Sequence, residues 1–338
     1  MTKLSLGKTG LQVEQNGFGA LPIQRITNRE AVYLLQKAYD GGINYFDSAR
    51  GYTDSEEKLG DAFHGMWDKV IIATKTHAKS APEFWEDLHT SLKTLKTDCI
   101  DIHQFHNPPF CPRPGEENGL YEAMLEAKKQ GKIRFISITN HRLPVAMEAV
   151  ESGLFETLQF PFSYLSDEKD LDLVRLCEKT KTGFIAMKAL SGGLLANAGA
   201  ASAWINQFSN VIPIWGIQRE RELDEFLSYI SSPPELTEAR KLCIENDRKE
   251  LQGNFCRACG YCLPCPQGIQ IPTCARATLL YRRAPTQMLI SENGREMMKK
   301  IDDCVECGHC VSKCPYGINT PELLKKNYQD YQKIVGRV

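Results

Sequence analysis

The sequence predicts an α/β fold in which a (β/α)8 TIM barrel is followed by a small α-helical, cysteine-rich domain. From about Gln15 to Tyr229, eight short apolar runs alternate with segments of helical periodicity. Eight near-continuous apolar strands separated by helices are typical of a closed parallel barrel, and a doubly wound open sheet is the alternative. Beyond this region the composition changes, because nine of the 13 cysteines lie between Cys256 and Cys314.

The eight barrel strands are predicted from these apolar runs, in order along the chain. They cover residues 16–19, 44–47, 70–74, 99–105, 133–138, 157–160, 183–187 and 211–215. The clearest helix between them is TNREAVYLLQKAYDGG, in which Val32, Leu35 and Tyr39 share one face. Thr27 and Glu30 have the spacing of a capping box, and the glycine pair predicts the end of the helix.

Two prolines in SSPPELTEARKLCIEN mark the exit from the barrel. We therefore expect the barrel over residues 1–235, a helical linker over 236–252 and the cysteine-rich domain over 253–338. Within the last domain, residues 278–301 predict a helical connection and residues 321–338 a closing polar helix. The segment CRACGYCLPCPQGI returns as CVECGHCVSKCPYGI, which indicates two copies of one structural unit.

Composition narrows the class of protein. The 338 residues include 41 Lys and Arg against 42 Asp and Glu, without a block of like charge, so nucleic acid is not an expected partner. The start MTKLSLGKTG lacks an apolar leader, and no run reaches the roughly 18 apolar residues of a membrane span. We expect a cytoplasmic protein without membrane contact. Closely spaced cysteines in a reducing compartment indicate metal rather than disulfides.

Four polar groups follow three consecutive barrel strands, at the strand ends where such barrels place their reacting residues. They are Asp47, Tyr52, Lys75 and His106. Hydride delivery to a carbonyl creates an alkoxide that must take a proton. Tyr52 could supply it if the Lys75 cation lowered the phenol pKa from its usual value of about 10. Asp47 would then hold the lysine, and His106 would orient the carbonyl oxygen.

These four residues, in their local context, resemble the catalytic tetrad of the aldo-keto reductase family. The resemblance covers about residues 1–230 and includes GFGALP, SLKTLKTDCIDIHQFH, SITNH, LQFPFS and FIAMKALSGG. It implies an oxidoreductase that interconverts a small-molecule carbonyl and alcohol with NADPH or NADH. By the same resemblance, Thr139, Asn140 and Gln159 lie near the nicotinamide carboxamide and Met187 lies where the family often stacks an aromatic ring. Lys188 is expected near the pyrophosphate, and a loop over the phosphates starts at Gly216 and Ile217.

The segment WGIQRERELDEF departs from the family pattern. Glu222 stands where a basic residue grips the 2′-phosphate of NADP, and Phe226 replaces an asparagine that contacts adenine. A carboxylate repels a phosphate, so Glu222 argues against tight NADP binding unless Arg219 or Arg221 compensates. NADH, weakly bound NADPH and no nicotinamide therefore all remain open. His77, His103 and His141 are expected to be loop or core histidines rather than ligands.

The second cysteine copy reads C-x2-C-x2-C-x3-C-P, the spacing of bacterial ferredoxins, in which the fourth cysteine ligates the other cluster. Zinc and free thiols are the alternatives. The resemblance to a two-cluster ferredoxin implies two [4Fe-4S] clusters. The first takes Cys256, Cys259, Cys262 and Cys314, and the second takes Cys304, Cys307, Cys310 and Cys265. The first copy has one residue fewer before Cys265, so Cys274 is a second candidate for the eighth ligand.

The barrel and the clusters move different numbers of electrons. Hydride carries two and a [4Fe-4S] cluster carries one, so a flavin, a radical-tolerant substrate or an external flavoprotein is the expected converter. The expected external electron carrier is a ferredoxin or a flavoprotein. We expect an oxidoreductase whose clusters link it to a low-potential electron carrier. The alternatives are an electron-transfer protein whose barrel binds a flavin or a partner instead of nicotinamide, and a redox-sensing or interaction protein with a vestigial tetrad.

Overall fold

Ten strands and fifteen α-helices are formed by the residues that the computed structural model describes, which are 3–251, 255–283 and 287–335. Strands β1 to β10 are Lys3–Ser5, Gln12–Glu14, Gly17–Gly19, Tyr45–Asp47, Ile71–Thr76, Ile100–His106, Ile133–Thr139, Thr157–Pro161, Gly183–Met187 and Val211–Gly216. Helices α1 to α8 are Asn28–Asp40, Ser55–Phe63, Ala81–Leu95, Leu120–Lys129, Leu143–Ser152, Glu168–Thr180, Ala198–Ile205 and Glu220–Ser231. Helices α9 to α15 are Glu238–Glu250, Ile271–Cys274, Ala277–Arg283, Gln287–Ile290, Glu292–Lys299, His309–Ser312 and Thr320–Val335.

Strands β3 to β10 close into a parallel barrel, so the predicted fold class is confirmed and the open sheet is wrong. Their order around the barrel follows the chain, and β10 pairs with β3 to complete the circle. Each observed strand lies within two residues of its predicted position. The parallel register brings the carboxyl ends of all eight strands to one rim, where Asp47 pairs with Ala73 and His106 with Thr139.

Strands β1 and β2 form an antiparallel hairpin outside the barrel, which the sequence did not predict. Leu6, Leu11 and Val13 from this region pack against Tyr45 and Ile71 at the amino ends of the barrel strands. The hairpin thereby closes the end of the barrel opposite the rim. Lys3–Ser5 and Gln12–Glu14 are short and rich in polar residues, so they lack the continuous apolar run by which the barrel strands were predicted.

Helix α1 has the predicted capping box. The Glu30 backbone N–H donates to Thr27 Oγ1 at 3.3 Å, and the Thr27 N–H donates to Glu30 Oε2 at 2.9 Å. The buried face of α1 consists of Ala31, Leu34, Leu35 and Ala38. The buried face differs from the predicted one. Leu35 is buried as predicted, whereas Val32 and Tyr39 lie at the edge of the buried face and are partly exposed.

The described residues separate into two compact units. The barrel unit consists of Met1–Ala189 with Ser202–Leu236, and the second unit of Leu190–Ala201 with Thr237–Val338. The segment that follows β9 thus packs with the second unit, although sequence reasoning assigned it to the barrel. Within the second unit, Arg276 Nη1 donates to the Gly192 carbonyl at 2.9 Å and Arg283 Nη1 to the Leu194 carbonyl at 3.2 Å.

The core of the second unit is small and contains cysteine sulfur as well as hydrocarbon. Ile269, Ile271, Met298 and Leu324 are buried in it, and Tyr331 closes it by donating to the Leu289 carbonyl at 2.6 Å. Among the described residues, none of the helices combines the length and the apolar content needed to cross a bilayer.

The two cysteine copies have the same backbone conformation at three pairs of positions. Residues with positive φ are Ala258 and Glu306, Gly260 and Gly308, and Gly268 and Gly317. Each pair occupies equivalent places in the two repeated segments. The sequence repeat is therefore also a structural repeat. Two of the three pairs are glycines, which adopt this conformation without steric cost.

His103 generates a prediction about stability. It is fully buried on β6, its ring meets the Phe84 ring edge-on at 5.5 Å, and neither ring nitrogen has a hydrogen-bond partner among the described residues. Burial lowers the pKa of His103 to about 3. An unfolded histidine binds a proton near pH 6.5, so the folded state loses stability as the pH falls from there toward 3. Between pH 7 and pH 5 this loss is about 2 kcal/mol.

Replacing His103 with leucine should remove this contribution. Denaturant unfolding at pH 7 and pH 5 should show the wild type losing about 2 kcal/mol more than His103→Leu. His89 is exposed on α3 and provides the control, because His89→Leu should keep the wild-type pH dependence. An identical pH dependence in wild type and His103→Leu would contradict the assignment.

Candidate functional site

A buried ion pair lies at the rim of the barrel, between the end of β4 and strand β5. Lys75 Nζ donates to Asp47 Oδ2 at 2.6 Å and to the Ser48 carbonyl at 2.5 Å. The two side chains are only 1% and 3% exposed. Such a pair is maintained only where further hydrogen bonds satisfy the remaining polar atoms.

Two glutamines supply those hydrogen bonds. Gln104 Nε2 donates to Asp47 Oδ1 at 3.1 Å and to Gln159 Oε1 at 2.9 Å, and Gln159 Nε2 lies 3.4 Å from Asp47 Oδ2. Ser137 Oγ donates to the Thr157 carbonyl at 2.9 Å and lies 3.3 Å from Gln104 Oε1. The carboxylate is thus held from β5, β6 and β8, which fixes its orientation.

Tyr52 and His106 stand beside this pair. Lys75 Nζ is 5.4 Å from the centroid of the Tyr52 ring, and the Tyr52 and His106 rings meet edge-on with centroids 5.9 Å apart. All four residues of the predicted tetrad therefore come together at one rim. This arrangement can combine a phenol, a cation and an imidazole around one reacting oxygen.

Burial is the largest influence on the pKa values of Asp47, Lys75 and His106. It raises the pKa of Asp47 and lowers that of Lys75, and in each case the opposite charge of the partner counteracts the shift. Burial also lowers the pKa of His106 well below its usual value, with further contributions from His77, Lys75 and His141. His106 is consequently a neutral imidazole at physiological pH. A neutral imidazole can donate a hydrogen bond to a carbonyl oxygen without adding a charge.

A second buried carboxylate anchors the segment that carries Tyr52. Glu56 accepts hydrogen bonds from Thr74 Oγ1 at 2.6 Å and Ser91 Oγ at 2.8 Å, and it forms an ion pair with Arg50. The Arg50 backbone N–H also donates to the Lys75 carbonyl at 2.9 Å. The tyrosine segment is therefore attached both to β5 and to α3.

His77, which is expected to be a loop or core histidine rather than a ligand, lies against the site. Its exposed ring stacks on the His106 ring with centroids 3.9 Å apart and an interplanar angle of 14°. His77 lies two residues after Lys75, and alternate residues of an extended chain face the same side. That spacing could have identified His77 from sequence. The same two-residue spacing between Gln104 and His106 on β6 could have identified Gln104.

The predicted nicotinamide contacts lie at the ends of the next strands, where local hydrogen bonds hold them. Asn140 Nδ2 donates to the Pro108 carbonyl at 2.9 Å, and its Oδ1 accepts from the Arg142 N–H at 2.8 Å. Thr139 Oγ1 lies 3.8 Å from the Met187 sulfur. Gln159 contacts Asp47, as described above. Of the predicted contacts, Gln159 therefore adjoins the tetrad, and Thr139 and Met187 adjoin each other.

The remaining predicted cofactor residues follow β9 and β10. Lys188 has a positive φ of 59°, and its charge adds to burial in lowering the pKa of His141 to about 3. Gly216 is exposed, whereas the Ile217 side chain is fully buried. Any contact between Ile217 and a phosphate would therefore come from its backbone.

Glu222 caps the helix that follows β10. Its Oε2 accepts from the Gln218 N–H at 3.0 Å and from the Arg219 N–H at 3.1 Å. Arg219 Nη1 is 3.9 Å from the same carboxylate. Backbone N–H groups at a helix start are a common phosphate site, and here a carboxylate already occupies two of them.

Phe226 belongs to the barrel packing. Its ring stacks on the buried Trp215 ring at 4.5 Å with an interplanar angle of 16°. Asn16 Nδ2 donates to the Phe226 carbonyl at 2.6 Å. The residue that replaces the adenine-contacting asparagine thus has a structural role in this chain.

The clustered cysteines line two cavities in the second unit. The first is bordered by Cys256, Cys259, Cys262 and Cys314. The second is bordered by Cys265, Cys304, Cys307 and Cys310. Each cavity therefore takes three cysteines from one copy and one from the other. Cys310 also reaches the first cavity.

Cys274 borders neither cavity. It is fully buried, its Sγ lies 3.7 Å from the Met297 carbonyl, and burial raises its pKa to about 11. The side chain therefore behaves as a core thiol, while Cys265 lies at the second cavity.

The cavity linings have the chemistry of iron–sulfur ligands. The Ala258 N–H donates to Cys256 Sγ at 3.4 Å, and the charges of Arg276 and Arg257 oppose the rise that burial causes in the pKa of Cys256. Among the described residues, no three cysteine, histidine or carboxylate side chains converge closely enough to hold a single metal ion. The sulfurs instead surround a space, and this donor set fits a cluster.

Comparison with known families agrees with both halves of the chain. Residues 15–227 match the aldo/keto reductase family, and residues 255–319 match the 4Fe-4S dicluster domain. The uncharacterized oxidoreductase YqkF of Bacillus subtilis is 29% identical over 259 residues, covering 72% of this chain and 78% of that protein. L-galactose dehydrogenase of Arabidopsis thaliana is 30% identical over 221 residues, covering 59% and 69%.

Solved structures show the same barrel. An aldo-keto reductase from Klebsiella pneumoniae in complex with NADPH aligns with a TM-score of 0.63 and 21% identity, covering 73% of this chain and 95% of that one. The holo form of the aldo-keto reductase AKR11C1 from Bacillus halodurans aligns with a TM-score of 0.64 and 20% identity, covering 73% and 96%. At these identities the likeness concerns the fold alone.

Proposed function

The chain belongs to the aldo/keto reductase family, and on that premise we propose that it interconverts a small-molecule carbonyl and alcohol by hydride transfer, coupled to two [4Fe-4S] clusters. It is an oxidoreductase with a 4Fe-4S dicluster domain. The observation that carries the proposal is the Lys75 ammonium held at 2.6 Å by Asp47 and lying 5.4 Å from the Tyr52 ring.

Each member of the tetrad has a role that its surroundings support. Tyr52 transfers the proton to or from the substrate oxygen, because Lys75 stabilises the phenolate that forms. Asp47 keeps Lys75 in place, and Gln104 with Gln159 keeps Asp47 in place. His106, neutral through burial, donates a hydrogen bond to the same oxygen.

The hydride carrier in this proposal is a nicotinamide, with NADH preferred over NADPH. Thr139, Asn140, Gln159, Met187 and Lys188 would line its nicotinamide half, in line with the family resemblance. The Klebsiella pneumoniae relative binds NADPH. In this chain the Glu222 carboxylate occupies the helix-start N–H groups, and its charge would repel a 2′-phosphate nearby.

The eight cavity-lining cysteines would hold two clusters, with Cys314 and Cys265 each serving the cluster of the other copy. Bound clusters supply one-electron transfer at low potential. Exchange with a two-electron hydride reaction then needs a flavin, bound or on an external flavoprotein, that accepts two electrons and releases them one at a time. A ferredoxin could then carry the single electrons to or from the clusters. Such clusters suit a reducing compartment, which supports a cytoplasmic location.

Replacing Tyr52 with phenylalanine tests the tetrad. Without the phenol proton, kcat should fall about 10²- to 10⁴-fold, while iron content stays unchanged. The assay follows nicotinamide absorbance under anaerobic conditions with 4-nitrobenzaldehyde, an activated aromatic aldehyde, as the probe.

Tyr45 provides the matched control for that substitution. Its hydroxyl is buried at the amino end of the barrel and has no hydrogen-bond partner among the described residues. Tyr45→Phe should keep wild-type turnover. Equal activity of Tyr52→Phe and wild type would exclude Tyr52 as the proton donor. Turnover with a bound flavin and without a nicotinamide would exclude nicotinamide as the hydride carrier.

Neutralising Glu222 tests the cofactor preference. The amide oxygen in Glu222→Gln can still accept from the Gln218 and Arg219 N–H groups, so the helix cap is retained. Removing the charge should improve NADPH affinity about tenfold relative to NADH, as measured by fluorescence titration. Glu220 on the same helix is the control, because its carboxylate is paired with Lys37 of α1. Glu220→Gln should leave the ratio of NADPH to NADH affinity unchanged. An unchanged ratio in Glu222→Gln would refute the charge argument.

Iron analysis distinguishes Cys265 from Cys274 as the eighth ligand. Anaerobically purified wild type should contain about eight irons per chain, the sum for two [4Fe-4S] clusters. Cys265→Ala should retain about four, and Cys274→Ala should retain about eight. The reverse pattern would assign the ligand to Cys274, and a wild type with fewer than about four irons would refute the two-cluster proposal.

A further inference from the structure

The second cysteine-lined cavity also contains an imidazole. His309 lies between Cys307 and Cys310 in the sequence and borders the same space as those cysteines and Cys265. The residue is half-buried, but its Nε2 atom is buried and has no hydrogen-bond partner among the described residues. A buried polar nitrogen of this kind normally has a partner, so the missing one is expected inside the cavity.

Two other polar side chains, Gln267 and Glu306, border this cavity. Glu306 is paired with Lys325. Much of the remaining lining is apolar, including Ile269 and Leu324. The protein thus surrounds the imidazole nitrogen mainly with sulfur and hydrocarbon.

The two copies differ at this position. Cys259-Gly260-Tyr261-Cys262 in the first copy corresponds to Cys307-Gly308-His309-Cys310 in the second. Tyr261 does not border the first cavity, whereas His309 borders the second. The backbone around the two residues is alike, since Gly260 and Gly308 have φ values of 84° and 75°. The side chain at this position is therefore a specific difference between otherwise equivalent sites.

We propose that His309 Nε2–H donates a hydrogen bond to sulfur of the cluster held by Cys265, Cys304, Cys307 and Cys310, and so raises the reduction potential of that cluster. The proposal rests on the proposed function, which assigns a cluster to this cavity. A hydrogen bond to a cluster sulfur stabilises the more negative, reduced state, and such bonds are among the factors that set cluster potentials. His309 acts here as a positioning and tuning residue, not as a ligand.

Two substitutions separate the donor from the bulk of the side chain. His309→Phe keeps a planar ring without the N–H, and His309→Gln keeps an N–H donor. Tyr261→Phe is the matched substitution in the first copy. All are made in the full chain, which is purified anaerobically with its clusters, and all are checked for iron and sulfide.

EPR-monitored redox titration is the principal measurement. In His309→Phe, one of two midpoint potentials should fall by about 59 mV, corresponding to a tenfold change in a one-electron equilibrium. The other midpoint should stay in place, His309→Gln should recover most of the shift, and Tyr261→Phe should leave both midpoints unchanged. Unchanged potentials in a fully loaded His309→Phe would overturn the proposal.

Labelling gives a second, independent readout. His309 is the only histidine in the second unit, because the other six lie at or before residue 141. With ¹⁵N-histidine, pulsed EPR of the reduced clusters should detect a nitrogen coupling in wild type that His309→Phe abolishes. Loss of four irons in both His309 variants would overturn the hydrogen bond in favour of iron ligation or packing. A wild type with fewer than about four irons would instead refute the underlying two-cluster function.

Discussion

The Asp47–Lys75 ion pair is the constraint around which the barrel rim is organised. Two opposite charges almost withdrawn from water are costly unless every polar atom is satisfied, so neighbouring strands must supply partners in fixed positions. Gln104 and Gln159 do this from β6 and β8, and the Ser48 carbonyl does so from the end of β4. The same pair places a cation beside Tyr52. Stability and chemistry at this rim therefore depend on one set of contacts.

Sequence reasoning predicted the features that short-range pattern encodes. The eight strands follow from apolar runs, and the tetrad follows from polar residues at their ends. Gln104 was missed because it is a polar residue within an apolar strand, and its partner Asp47 lies 57 residues earlier. Glu56 was missed for a related reason, since its role arises only when strands and helices are brought together, whereas the two-residue spacing from Lys75 could have indicated His77. The contacts that hold the tetrad are tertiary.

In the second unit, too, local features were predicted from sequence and tertiary contacts were not. Cysteine spacing is local, so the ligand sets could be predicted, and the paired positive φ values show that the repeat has a common backbone form. A boundary drawn along the sequence cannot assign Leu190–Ala201 to a unit that otherwise begins at Thr237. That segment is held by Arg276 and Arg283 through backbone carbonyls. Backbone acceptors leave no side-chain signature in a sequence.

The two cysteine-lined cavities of the second unit differ in the charged and polar groups around them. Arg257 and Arg276 act on Cys256 at the first cavity, where positive charge favours a reduced cluster. At the second cavity, Lys325 is paired with Glu306, and this ion pair adds no net charge. On the proposed assignment, the His309 donor raises the potential of the second cluster. Each cluster would then have its own potential, and the two together could hold the two electrons of one hydride.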